Sequence, residues 1–133
     1  MCLWIICLLL IVSFIWGNSL LPGTDSGALS NSVKELLLGV PHDILLTVGA
    51  VSEETAVAMA KGVRNLLHAD LAVAVTGIAG PNADGTNKPV GLVYVAVVSE
   101  SQTVVSENHF SGDREAVREQ TIVKALQMVL QMI

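Results

Sequence analysis

Thr76-Gly77-Ile78-Ala79-Gly80-Pro81-Asn82-Ala83-Asp84-Gly85-Thr86-Asn87-Lys88-Pro89-Val90-Gly91 joins two of the most strand-like runs in the chain, Leu71 to Val75 before it and Leu92 to Val98 after it. Both runs carry small and β-branched residues on either face, which marks inner strands covered by helices on two sides. A connection between such strands lies at one edge of a sheet, where function concentrates in folds of this kind. Its glycines let backbone amides approach a ligand with no side chain in the way. Thr76 and Lys88 bracket them with a hydroxyl and a cation. That make-up suits an anionic ligand, because amides can turn inward as a nest while the ammonium adds charge. The same residue types also build ordinary turns. Neither common phosphate signature is present, whether Gly-x-Gly-x-x-Gly opening a helix or Gly-x-x-x-x-Gly-Lys-Ser/Thr. On composition alone, turn and binding loop stand level.

Outward from this loop the pattern is that of an α/β domain. Ser30 to Glu35 offers several N-cap oxygens, and Ser32 with Glu35 matches a capping box, so a short helix is expected to about Leu38, ending at Gly39. Pro41 opens another short helical piece through about Thr47. Ser52 caps a long helix whose Ala56, Val57, Met59, Ala60, Val63, Leu66 and Leu67 form the expected buried stripe, with Glu53, Glu54, Lys61 and Arg64 solvated. On the far side of the loop, Thr103 to Phe110 alternates as an outer strand paired back on Leu92 to Val98. Asp113 caps a final helix, for which Val117, Val123, Leu126, Leu130 and Ile133 mark the expected buried side.

With 133 residues the chain fits one domain. A net charge of −5 with scattered cations argues against nucleic-acid binding, which needs clustered Lys and Arg. His42, His68 and His109 lack ligand spacing and read as surface or capping residues, so no metal site and no cofactor is expected. Cys2 and Cys7 read as small hydrophobes within an apolar start. Cys2 to Trp16 is interrupted only by Ser13, yet is shorter than the roughly 20 residues that cross a bilayer and lacks a basic flank. Three readings stand for it: a membrane anchor, a signal-like segment, or a start foreign to the rest. Gly17 to Gly27 reads as a linker.

Several of these stretches together resemble a known family. Gly49-Ala50-Val51-Ser52-Glu53-Glu54, Met59-Ala60-Lys61-Gly62, Ala69-Asp70, Thr76-Gly77-Ile78-Ala79-Gly80-Pro81, Lys88-Pro89-Val90-Gly91 and Gly112-Asp113-Arg114 are similar, in motif and order, to the CinA C-terminal domain. This family of competence/damage-inducible proteins contains nicotinamide-nucleotide amidohydrolases. The resemblance covers Leu29 to Ile133 and divides the chain into an atypical apolar segment and linker, 1–28, and a partial CinA-like domain, 29–133. It implies a three-layer α/β/α fold with a mixed sheet, N-terminally incomplete. It further implies hydrolysis of the carboxamide of nicotinamide mononucleotide to nicotinate mononucleotide and ammonia, a cytoplasmic setting, a pyridine nucleotide as partner and a possible homo-oligomer. Membrane association would come only through Cys2 to Trp16.

Position by position, the family's Tyr-Ser-Asn-x-x-Lys segment falls on Leu29 to Lys34, which makes Lys34 the implied activating base. Thr76 falls on the family's site threonine and is expected to face substrate. Gly77, Ala79 and Gly80 are expected to bring backbone to it, and Lys88 or Arg114 to pair with phosphate. The family's nucleophilic serine sits in a Glu-Ser-Cys-Thr-Gly-Gly motif with no counterpart in Met1 to Ala28, and its tyrosine is Leu29 here. The switch at Leu29 leads to the expectation that the start is a misjoined, frame-shifted or degenerated form of the family's beginning.

Overall fold

The computed structural model describes residues 39–83 and 85–133. Three helices and three strands follow in the order α1 (His42–Thr47), α2 (Glu53–Leu67), β1 (Leu71–Gly77), β2 (Leu92–Ser99), β3 (Thr103–His109) and α3 (Arg114–Met132). The described strands form one antiparallel sheet in the order β1-β2-β3. Val73 pairs with Val97 and Val75 with Val95 across the first ladder, and Val95 pairs with Ser106 across the second. Side chains alternate between the two faces of a strand, and each face has its own helical cover. Val73, Val75, Val93, Val95 and Val97 pack under Val117 and Met128 of α3. Ala74, Ala96 and Val98 pack under Ala56, Met59 and Ala60 of α2, with Val40 and Leu45 beside them. The result is a three-layer α/β/α arrangement. Alanines on the α2 side let that helix lie close, and valines on the other side fill the wider gap to α3.

The expected elements appear with small shifts of boundary. Ser52 caps α2, its Oγ accepting from the Thr55 amide at 3.1 Å. His68 closes the helix in the left-handed region, φ 50°, a capping role for that histidine. Asp113 caps α3 by accepting from the Ala116 amide at 2.9 Å. The helix expected over Ser30 to Leu38 lies outside the described residues.

Two buried faces need correction. On α3, Val117 is buried as expected, but Val123, Leu126, Leu130 and Ile133 are exposed, and Thr121 and Met128 take the inward positions. Thr121 can lie there because its hydroxyl donates to the Val117 carbonyl at 2.7 Å within the helix. On α2, Leu66 and Leu67 are exposed, Leu66 lining the open groove between α1 and α2. The expected membrane partner is also corrected: among the described residues no helix is long and apolar enough to cross a membrane. The reading of Cys2 to Trp16 lies outside those residues.

Candidate functional site

The connectivity brings several element ends to one end of the sheet. A short turn leads from α2 into β1, so the start of α2 lies beside the end of β1. The ladders are antiparallel, so the end of β1, the start of β2 and the end of β3 share that same end, and α3 begins just after β3. The glycine loop therefore emerges between the N-termini of two helices, which carry partial positive charge. Glu53 and Glu54 stand in the first turn of α2 and Glu115 in that of α3. These carboxylates offset much of that charge, leaving loop amides and basic side chains as the groups suited to an anion.

The loop is tightly closed at its neck. The Ile78 amide donates to the Leu92 carbonyl at 2.9 Å and the Gly91 amide to the Ile78 carbonyl at 2.6 Å, extending the ladder by one rung. A Cβ on Gly77 would meet the Leu92 carbonyl oxygen at 2.7 Å, and one on Gly91 would collide with the Phe110 carbonyl oxygen. Both signature glycines are thus required by close backbone approach.

The polar side chains of the loop turn toward neighbouring backbone. Thr76, 7% exposed, donates its hydroxyl to the Ala50 carbonyl at 2.6 Å. The Lys88 ammonium donates to the Val48 carbonyl at 2.9 Å and to the Val51 carbonyl. The Gly49 carbonyl accepts from Thr55 Oγ1 at 2.8 Å and from Ser52 Oγ at 3.2 Å. Four consecutive carbonyls, 48 to 51, are therefore held by side chains. Arg114 ties the third segment in, with Nη1 donating to the Gly80 carbonyl at 2.7 Å.

Of the residues singled out from sequence, the structure brings Thr76, Gly77, Gly80, Lys88 and Arg114 to this one end. Ala79 is also there, but its methyl packs in the core beneath α3. Lys34 lies outside the described residues. Among the described residues no group of three or more His, Cys, Asp or Glu side chains could hold a metal ion. A groove of about 910 Å³ between α1 and α2 is lined by Pro41, Ile44, Glu53, Glu54, Val57 and Lys61 among others. None of the glycine-loop residues borders it, and its two carboxylates make it a poor place for a phosphate.

A further polar chain was not singled out from the sequence. Thr76, Tyr94 and Glu107 are register partners across the three strands and so share one face of the sheet. Tyr94 Oη donates to Glu107 Oε2 at 3.0 Å, and Glu107 Oε1 lies 2.9 Å from His109 Nε2. Burial pushes the Tyr94 phenol above its ordinary value, and the Glu107 carboxylate reinforces this. The hydrogen bond from His109, then that from Tyr94, holds the Glu107 carboxyl below the usual range. Alternation within β3 places Glu107 and His109 on one face, but the partner on β2 follows only from the register.

Comparison with known proteins places these loops in context. A family model for the CinA C-terminal domain matches residues 27–133. A putative competence-damage inducible protein of Desulforudis audaxviator is 50% identical over 102 residues, covering 77% of this chain and 25% of that protein. A CinA-like protein of Geobacter sulfurreducens is 48% identical over 97 residues, covering 73% and 24%. Among solved structures, a CinA superfamily protein from Enterobacter cloacae superposes with a TM-score of 0.74 at 33% identity, covering 77% of this chain and 60% of that one. A competence/damage inducible protein from Agrobacterium tumefaciens does so with 0.72 at 40% identity, covering 76% and 62%. The chain thus spans about a quarter of the length of these curated relatives and about three fifths of these solved chains.

Proposed function

We propose, from the premise that the chain belongs to the CinA C-terminal domain family, that residues 29–133 carry a pyridine-nucleotide site at the glycine-loop end of the sheet. The reaction assigned to it is hydrolysis of the carboxamide of nicotinamide mononucleotide. Over the whole reaction one water is consumed: its oxygen ends on the carbonyl carbon, the C–N bond breaks, and the nitrogen leaves as ammonia carrying a proton from that water, giving nicotinate mononucleotide. Such a reaction needs a base and fixed donors for the oxyanion, each donor being worth roughly 2.7–4 kcal/mol. In this reading Lys34 is the base, and the backbone at Gly77, Ala79 and Gly80 lies against the nucleotide. Thr76 lines the site, while Lys88 and Arg114 supply positive charge near its phosphate.

The observation that supports this reading is the convergence of the glycine loop with Thr76, Gly80 and Lys88, the turn from Val48 to Val51, and Arg114 of α3, three segments that meet where two helices begin. A second reading, binding without turnover, is favoured by the lack of the family's serine motif in Met1 to Ala28. Calorimetry with nicotinamide mononucleotide tests the site, and ammonia release separates the two readings. One site per chain is expected. Thr76→Ala should weaken it by about tenfold, or about 1.4 kcal/mol, whereas Lys61→Ala on the solvated face of α2 should not. Equal effects of the two substitutions, or no binding heat with the folded chain, would overturn the assignment.

A further inference from the structure

Helix α3 presents a second apolar face, directed away from the sheet. Ile122 is 50% exposed, Val123 54%, Leu126 52%, Leu130 73% and Ile133 90%. Val123, Leu126, Leu130 and Ile133 recur at spacings of three, four and three, the seam pattern by which one helix receives another. Between Gln120 and Ile133 the only charge is Lys124. A contiguous aliphatic strip of this kind marks a contact surface.

We infer that this strip is the docking surface for Cys2 to Trp16 of the same chain. The segment matches the strip in chemistry: fifteen residues, no charge, and one hydroxyl at Ser13. It is also long enough, since the strip from Ile122 to Ile133 runs about 16 Å and fifteen residues reach farther than that even at a rise of about 1.5 Å per residue. The connection is long enough. Residues 17–38 could span up to about 70 Å when extended, and the chain enters the described fold at Val40, packed under α2 on the opposite face of the sheet. Layers of this kind lie about 10 Å apart, so the route from one face to the other is well within reach. A tethered segment acts at an effective concentration in the millimolar range, which favours it over a second copy of the chain.

Trp4 and Trp16 are the only tryptophans, and both belong to this segment, so the emission of the full chain reports on it alone. Emission is expected to be blue-shifted and protected from acrylamide, equally at low and high protein concentration. The double substitution Leu126→Asp with Leu130→Asp should shift it to the red and steepen quenching, while Lys61→Glu should not. Cys2 and Cys7 are the only cysteines, which gives a second measurement that leaves the strip apolar. Mild oxidation of Val123→Cys should form a disulfide to one of them within a single chain, and Lys61→Cys should not. Three results would overturn the inference: solvent-like emission in the unaltered chain, protection that grows with protein concentration, or cross-links only between chains. The proposal does not depend on nucleotide binding, and none of its readouts involves the nucleotide.

Discussion

Lys88 has a structural role beside the one expected of it. Its ammonium donates to the carbonyls of Val48 and Val51 and so fastens the glycine loop to the turn before α2, while its charge stays at the end of the sheet where the phosphate is proposed to lie. Lys88→Met keeps much of the stem but leaves those carbonyls without their donor. It should cost about 1–3 kcal/mol, read as a fall in the urea midpoint with an unchanged slope. An unchanged midpoint would show that the clamp contributes nothing to folding. Tyr94, Glu107 and His109 give a second residue-scale expectation, with Glu53 and Glu54 also near the phenol. The lowered Glu107 carboxyl contributes stability above its ordinary value of 4.5, lost as pH falls through the folded value. The raised Tyr94 phenol contributes below 10.0, lost as pH rises through its folded value. Melting curves across pH should show a flatter acid limb for Glu107→Gln and a flatter alkaline limb for Tyr94→Phe.

At the scale of elements, α2 and the strands were legible because local signals agreed with tertiary demand. Ser52 is a cap in sequence and in structure, and Ala56, Met59, Ala60 and Val63 form the buried stripe that their spacing implies. Met59 lies at the centre of that stripe, fully buried, so Met59→Ala should cost about 2–5 kcal/mol. Leu66→Ala, at an exposed position on the open groove, should stay within about 0.5 kcal/mol. Thermal denaturation of the two variants checks the contrast. Helix α3 was harder to read because its second half carries apolar residues on either side of the polar stripe Gln120, Lys124, Gln127 and Gln131, so period alone could not say which apolar side faces inward. A polar Thr121 with an internal hydrogen bond took a core position that composition would have given to a leucine.

For the whole molecule, the motifs showed which segments belong to one signature, and the fold brings Thr76, Gly80, Lys88 and Arg114 to one end of the sheet. Their hydrogen-bond partners were not legible, since contacts such as Thr76 with Ala50 or Arg114 with Gly80 depend on how the layers stack. Spacing along the chain does not encode such contacts. If the assembled site takes the nucleotide, ligand at one hundred times its dissociation constant should stabilise the chain by about 2.7 kcal/mol. Differential scanning calorimetry would show the rise in the unaltered protein and a smaller one in Thr76→Ala.

The neck of the glycine loop carries a last consequence. Its rung between Ile78 and Gly91 seals the base, whereas Asn82, Ala83 and Gly85 to Asn87 project into solvent. Each doubling of loop length adds only about 0.6 kcal/mol of closure entropy. The tip therefore offers a place to graft an epitope or reporter peptide while the clamps at its base stay in register.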